Sequence, residues 1–302
     1  MKKSIVFFLA CLALVSLGLT LIPKVASQPE NIKILSYSWY TDSYGDFIVV
    51  GEIQNIGPDT IASVGLSGTV YTQDGTAQAY GYGSAYVNYL SPQQKAPFYM
   101  DFTPQTSITG DLSWVSTGID HVDFNVIDAE TTDKYQYPGL SITDDSGSTD
   151  SEGVYWVSGH VQNSGTQAAT NIIVVGTFYN SAGTVVAIGY TDSITGYTQD
   201  STHTPIPLDP SDTASFRVGA FDQNQSEVAS DRKIARYALL VQAQAPVLSG
   251  TPPSPTPTPE ATPTPTPTSS PDIPEFPVWT VLLPFMVATM LTAVFCFKKR
   301  KR

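Results

Sequence analysis

Cysteine is nearly missing from this chain: Cys11 and Cys296 are the only two in 302 residues. Both lie in apolar runs near the ends, so the stretch between them has no disulfide framework, thiol nucleophile or cysteine-based metal site. Any domain there must be held by an ordinary hydrophobic core. Histidine is almost as scarce. His121, His160 and His203 are the only three, and no two stand at a metal-ligand spacing such as His-x-x-x-His. A Gly-x-Ser-x-Gly nucleophile elbow, a phosphate loop and a dinucleotide fingerprint are all lacking. The chain therefore reads as a non-enzyme, with no catalytic residue and no cofactor to assign.

Basic residues are scarce where they would matter for nucleic acid. Of 15 Lys and Arg, eight sit at the two ends of the chain, leaving 7 in residues 28–275 against all 27 Asp and Glu, a net charge near −20. Affinity for phosphate backbones comes mainly from Lys and Arg, so a nucleic-acid partner is excluded. Such acidity fits a solvated surface, a cation-rich environment or a basic partner.

Two long apolar runs are present, one at each end. Lys2-Lys3 precede the run from Ile5 to Ile22, and Val25-Ala26-Ser27 offers the small residues that a signal peptidase prefers. Residues 1–27 read as a secretory signal; retention as an uncleaved signal anchor fits the same residues, because the run is longer than the usual signal core. Both readings place the middle of the chain outside the cell. Cys11 lacks the small-residue run that precedes a lipoprotein cysteine. The second run, Val278 to Phe297, is 20 residues without a charge. At about 1.5 Å per residue, a helix of that length covers the roughly 30 Å hydrocarbon core, and Pro284 is tolerated in such a helix. The five basic residues Lys298 to Arg302 place that end in the cytoplasm. A glycolipid-anchor signal fits poorly, since its tail does not normally end in basic residues.

Before this span lies a Thr/Pro tract, Thr251 to Pro271, within a stalk over residues 247–273. It has little apolar surface to bury, and proline cannot join a ladder, so an extended spacer is expected. At about 3.1 Å per residue it would reach on the order of 65 Å. Its hydroxyls serve equally as O-glycosylation sites or as a bare spacer. Asn224-Gln225-Ser226 is the one Asn-x-Ser/Thr acceptor in the exported stretch, which makes Asn224 the N-glycosylation candidate.

The central stretch repeats itself. A shift of 108 residues carries Gly51-Glu52-Ile53-Gln54-Asn55-Ile56-Gly57 onto Gly159-His160-Val161-Gln162-Asn163-Ser164-Gly165. It also carries Gly68-Thr69-Val70-Tyr71 onto Gly176-Thr177-Phe178-Tyr179, and Gly81-Tyr82 onto Gly189-Tyr190. Further on, Leu90-Ser91-Pro92 with Phe98 matches Leu208-Asp209-Pro210 with Phe216 at a shift of 118, so copy two holds ten extra residues, placed within Ser193 to Pro207.

Each copy reads as short strands. Phe47, Val49 and Ile53 alternate, as do Tyr155, Val157 and Val161. The Asn-x-Gly triplets that follow are expected to provide positive φ at a chain reversal. A central strand is expected over Val64–Tyr71 and Ile172–Tyr179, ending at Asp74-Gly75 and Ala182-Gly183 turns. Later strands are expected over 77–87, 97–102 and 121–127, and over 185–191, 214–220 and 236–243. With opening strands near Ile32–Trp39 and Leu140–Thr143, each copy has the six or seven strands of a small β-sandwich.

Two resemblances follow from these residues. The pattern Val49-x-Gly51-x-Ile53-x-Asn55-x-Gly57, with Val70-Tyr71 before a turn and Leu90-x-Pro92 ahead of Phe98, resembles the FxLYD-type immunoglobulin-like modules of prokaryotic surface proteins. The full Phe-x-Leu-Tyr-Asp string is replaced by Thr69-Val70-Tyr71-Thr72 and Thr177-Phe178-Tyr179-Asn180. The resemblance implies a non-enzymatic display or adhesion module. The Thr/Pro spacer, Pro274-Glu275-Phe276, the span and the basic tail together resemble the C-terminal sorting signals of archaeal surface proteins, in which a Pro-x-Phe mark is processed by an archaeosortase. Pro277 departs from the best-defined versions, so processing and a permanent anchor both stay open.

The expected architecture is all-β: signal 1–27, two tandem immunoglobulin-like β-sandwiches over 28–130 and 131–246, a stalk over 247–273, and sorting motif, transmembrane helix and basic tail over 274–302. The expected place is the cell surface, with the ectodomain outside and the tail cytoplasmic before any processing. Envelope glycans or other surface proteins are the expected partners besides the membrane. A solute- or carbohydrate-binding sensory ectodomain is the alternative function; a concave pocket lined by the Tyr80–Tyr89 segment would favour it. Two side-chain groups stand out. Asp144, Asp145, Asp150 and Glu152 cluster carboxylates in what reads as a flexible turn, a candidate calcium site outside the EF-hand pattern. Tyr80, Tyr82, Tyr86 and Tyr89 are the candidate ligand-contact residues, with 80 and 82 sharing a strand face.

Overall fold

The computed structural model describes residues 31–200, 202–225 and 228–250, residues 222–224 by their backbone only. The signal, the stalk from Thr251 onward, the sorting motif, span and tail lie outside the described residues, as does the side chain of Asn224, while the first stalk residues, Val247 to Ser249, form a strand. Among the described residues no helix is long and apolar enough to cross a membrane. Apart from short 3-10 turns at Ser113–Thr117 and Ser230–Arg232, every regular element among them is a strand, and every pairing is antiparallel.

Copy one comprises β1 (Ile32–Thr41), β2 (Phe47–Asn55), β3 (Thr60–Thr72), β4 (Ala77–Ala85), β5 (Tyr89–Leu90), β6 (Lys95–Phe102) and β7 (Ile119–Thr132). β8 (Lys134–Gln136) leads into copy two: β9 (Leu140–Thr149), β10 (Val154–Asn163), β11 (Thr170–Tyr179), β12 (Val185–Tyr190), β13 (Thr213–Asn224) and β14 (Arg236–Ala245). β15 (Val247–Ser249) then returns to pair with β8. In copy two, β9-β10-β13 and β12-β11-β14 form separate three-stranded sheets. Copy one has the same two groups, β1-β2-β6 and β4-β3-β7, but a short pairing of Gly83–Ala85 with Phe98–Met100 joins them into one seven-stranded sheet. The fold is all-β and sandwich-like, and the repeat read from sequence is a repeat of strand order.

The cores match position by position. Val49, Ile53, Leu66, Val70, Phe98 and Met100 are buried together in copy one. Their equivalents Val157, Val161, Val174, Phe178, Phe216 and Val218 are buried together in copy two. Each such side chain contributes about 1.5–3 kcal/mol relative to exposure, so without disulfides these clusters hold the two units.

The repeated glycine and asparagine have structural reasons. Gly51 pairs with Phe98, and Gly159 with Phe216. A Cβ on Gly51 would overlap the Phe98 ring and stand 2.7 Å from Ser36 O; on Gly159 it would meet the Phe216 ring at 3.0 Å. The Asn-x-Gly reading needs correction. Neither Asn55 nor Gly57, nor their equivalents Asn163 and Gly165, has positive φ. Asn55 is instead buried and acts as a clamp: its Nδ2 donates to Asp59 O (2.7 Å) and Leu90 O (2.9 Å), while Gly57 N–H donates to its Oδ1 (2.9 Å). Asn163 does the same with Gln167 O, Leu208 O and Gly165 N–H at 2.8, 2.8 and 3.1 Å. This clamp joins the Asn-x-Gly and Leu-x-Pro motifs, which is why both recur. Positive φ falls elsewhere in that loop, at Gln93 and Ser211 (φ 64 and 75), and at the expected hairpin glycines Gly75 and Gly183 (φ 79 and 83).

The ten extra residues do lie between β12 and β13. They fold back on themselves through a Tyr197–Pro205 bridge, with the Tyr197 and His203 rings stacked at 4.5 Å.

Candidate functional site

Strand β2 is buried on both faces. Phe47, Val49 and Ile53 point into the core of copy one, as their alternation requires. Ile48, Val50 and Glu52 point the other way, yet they do not meet solvent. Ile48 and Val50 join Tyr40 from β1 and Tyr179, Val185 and Ile188 from copy two in a third apolar cluster, flanked by Tyr86, Tyr99 and Ala238. The outer face of β1-β2-β6 is thus covered by the outer face of β12-β11-β14, with β12 lying across β1, β2 and β6.

Polar groups fix this contact. Tyr179 Oη donates a short hydrogen bond to Glu52 Oε1, and Lys95 Nζ stands 3.6 Å from Glu52 Oε2. Glu52 is only 4% exposed, so these partners offset the cost of burying its charge. Burial, and then the neighbouring Glu52 carboxylate, push the Tyr179 phenol well above its ordinary range. Arg236 stacks over the Tyr179 ring at 4.0 Å. Around the rim, Ser38 Oγ donates to Val185 O (2.6 Å), Asn88 N–H to Gln242 Oε1 (3.1 Å) and Gln242 Nε2 to Tyr86 O (3.2 Å). Tyr86 stacks on Tyr190 with centroids 5.1 Å apart.

The matching face of copy one, the outer side of β4-β3-β7, is open. Tyr80 and Tyr82 project from it, 54% and 70% exposed. Pairing sets them in rows, Tyr80–Thr69–Asp123 and Tyr82–Ser67–Asn125. Tyr71 stacks on His121 beside them at 5.0 Å, and His121 is flanked by Asp120 (2.7 Å) and Asp123 (3.5 Å). Two exposed rings among hydroxyl, amide and carboxylate groups make a sheet face able to stack and hydrogen-bond. This face is the candidate site.

Neither a family model nor a curated protein matches the chain. Solved structures give distant likenesses. A calcium-binding mutant of β-glucuronidase 2 from Bacteroides uniformis is 15% identical, with 68% of this chain and 26% of that one covered and a TM-score of 0.22. An exo-chitosanase from Amycolatopsis orientalis is 12% identical, with 73% and 26% covered and a TM-score of 0.22. Red sea bream transglutaminase is 10% identical, with 73% and 31% covered and a TM-score of 0.20. The chain spans about a quarter to a third of those proteins, and likeness at this level says nothing of its activity.

The four tyrosines singled out from sequence are divided. Tyr80 and Tyr82 share the open face, Tyr86 belongs to the contact between copies, and Tyr89 is half-buried on β5 opposite Ala62. None of the four lines the open cleft of about 1020 Å³ between the β1–β2 turn and copy two, which is walled by Trp156, Tyr190, Arg217, Phe221 and Arg232.

The acidic segment is also corrected. Asp144 and Asp145 are not in a flexible turn but within β9, at a bulge where neither has a partner on β10 and Asp144 has φ 55, and only Asp150 and Glu152 occupy the β9–β10 turn. The ladder reaches this far because Ser146 to Thr149 find partners in Tyr155 to Ser158. Asp145 accepts from Tyr237 Oη (2.8 Å), and Asp150 from Val154 N–H (3.0 Å) and the Trp156 indole (2.8 Å). Desolvation works the other way, but these hydrogen bonds hold the Asp150 carboxyl below the usual carboxylate range. Among the described residues no three His, Cys, Asp or Glu come together as a metal site.

Sequence reasoning missed the contact between copies. Its signal was present in the unbroken apolar run Phe47-Ile48-Val49-Val50, which a strand with one solvent face would not carry.

Proposed function

We propose that this chain is an outward-facing, membrane-anchored surface protein whose two immunoglobulin-like modules, 28–130 and 131–246, act in display or adhesion without catalysis. The signal, Thr/Pro stalk and C-terminal span, with its archaeosortase-like Pro274-Glu275-Phe276 mark, supply the address in an archaeal envelope. The observation that carries the reading is the pair of equivalent sheet faces. Docking of copy two on copy one buries one such face and leaves the Tyr80–Tyr82 face held open on a rigid support. Exposed aromatic side chains among polar ones are the composition of recognition surfaces. Placing them on a sheet rather than a loop limits the ordering cost of binding.

The test is attachment. Proteoliposomes carrying the full chain should bind envelope fragments from the source cells, and Tyr80→Ser with Tyr82→Ser should abolish binding while leaving the unfolding midpoint unchanged. Equal binding by empty liposomes, or by the doubly substituted chain, would remove the reading.

A further inference from the structure

The contact between copies uses two surfaces, and each has a free equivalent on the other copy. Copy two docks through the outer face of β12-β11-β14; its equivalent in copy one is the open β4-β3-β7 face. Copy one receives it on the outer face of β1-β2-β6, whose equivalent in copy two is the outer face of β9-β10-β13. There Ser158 and His160 are exposed, and Trp156 is half-buried beneath Arg217, which stacks over its ring at 4.0 Å and stands 4.0 Å from Asp150, both at the edge of the cleft beside the β1–β2 turn.

We propose that the free β4-β3-β7 face of one molecule docks on the free β9-β10-β13 face of another, repeating between chains the contact made within each chain. This rests on the display reading above and names the partner of its open face: a second copy of this chain.

Register decides which groups would meet. Ala238 pairs with Thr177, and both Ala238 and Tyr99 pack against the apolar cluster between the copies. Asp123 pairs with Thr69 at the position equivalent to Ala238, and Arg217 sits where Tyr99 does, one residue past the repeated phenylalanine. The repeat thus brings the Asp123 carboxylate, 3.5 Å from His121, and the Arg217 guanidinium, 57% exposed and 4.0 Å from Asp150, to one patch. By the same shift the Ile188–Ile48 patch becomes Tyr80 with Trp156, and the Tyr179–Glu52 hydrogen bond becomes Tyr71 with His160. Even the stacking under the tyrosine recurs, with Arg236 on Tyr179 and His121 on Tyr71.

The substitutions explain why one contact is permanent and the other free in a single molecule. Val175, Ala238 and Leu240 of the docked face are replaced by Ser67, Asp123 and Asn125 on the open one. Polar and charged groups keep both free faces soluble, and complementary charge then supplies specificity and register. Because the two faces differ, the contact is head-to-tail, so it builds rows of molecules, or rings where the rotation closes, rather than two-fold dimers.

The test uses the full chain with Cys11 and Cys296 replaced by serine. Chains carrying Asp123→Cys and one tag are mixed in membranes with chains carrying Arg217→Cys and another, then treated with a short bis-maleimide. Products joining the two tags are expected, with none from either variant alone. In a second arm, Asp123→Arg or Arg217→Asp should each weaken self-association about tenfold, and the two together should restore it. Mixed-tag products no more frequent than with Tyr44→Cys, a control on an 88% exposed turn, would overturn the proposal. So would weakening by both single variants without recovery in the pair. A chain that stays monomeric yet still binds envelope fragments or glycans through Tyr82 would overturn it while leaving the display reading intact.

Discussion

Tyr179 of copy two donates its phenolic hydrogen to the buried carboxylate of Glu52 in copy one, 127 residues away in sequence. Among the described residues only Lys95 also approaches that carboxylate as a cation, and its own side chain is 55% exposed. Tyr179→Phe keeps the ring and the Arg236 stacking but removes the donor from a buried charge. We expect a loss of about 1.5–3 kcal/mol, read as a lower denaturant midpoint of the full chain.

Alkaline pH should weaken the same contact. The Tyr179 phenol is held above its ordinary value of 10.0, first by burial and then by Glu52. Above pH 10 the unfolded chain therefore releases a proton that the folded chain keeps. Stability is unaffected by this group below that pH and falls above it by up to about 1.4 kcal/mol per pH unit. Tyr86, Tyr155 and Tyr237 are raised as well and remain in both proteins. The difference in slope between the parent chain and Tyr179→Phe isolates Tyr179, and the substituted chain should show the shallower decline.

Asn55→Ala strips hydrogen bonds from the carbonyls of Asp59 and Leu90 and from the N–H of Gly57. Buried groups left unpaired cost about 1–3 kcal/mol each, so a loss of about 3 kcal/mol or more is expected. Asn163→Ala should cost a similar amount, because its three bonds are equivalent. Asn55→Asp should be no milder, since a carboxylate would then face two carbonyl oxygens. Chemical unfolding of the three variants measures this.

The paired glycines should not be equally tolerant. At Gly51 a methyl group meets both the Phe98 ring and the fixed carbonyl of Ser36, whereas at Gly159 its nearest contacts are at 3.0 Å. Overpacking of this kind costs about 1–3 kcal/mol. Gly51→Ala is expected at or above the top of that range and Gly159→Ala near the bottom, a ranking that thermal unfolding can check.

Strand order was legible in the sequence because alternation at positions such as 47, 49 and 53 and turn residues such as Asp74-Gly75 are local signals. The role of Asn55 was not, because its partners Asp59 and Leu90 become neighbours only when the loop closes. Glu52 and Tyr179 were invisible as a pair for the same reason, although Ile48 and Val50 already carried the mark of a second buried face. The run Asp144 to Glu152 read as a turn on composition, but pairing of Ser146 to Thr149 with β10 carries the ladder through its middle, leaving Asp144 and Asp145 at a bulge and Asp150 and Glu152 in the turn. On the open face, Tyr80 and Tyr82 were found by period-2 spacing; Tyr86, past the end of β4, escaped that rule and turned toward Tyr190.

The central claim is that the Tyr82 face looks outward from the cell and makes the attachment. It is tested most directly by treating intact cells that carry Tyr82→Cys, in a Cys11→Ser, Cys296→Ser background, with a membrane-impermeant maleimide bearing a bulky group. The account predicts labelling without cell lysis and loss of attachment in proportion to the labelled fraction. Labelling only after lysis, or attachment unchanged on fully labelled cells, would contradict it.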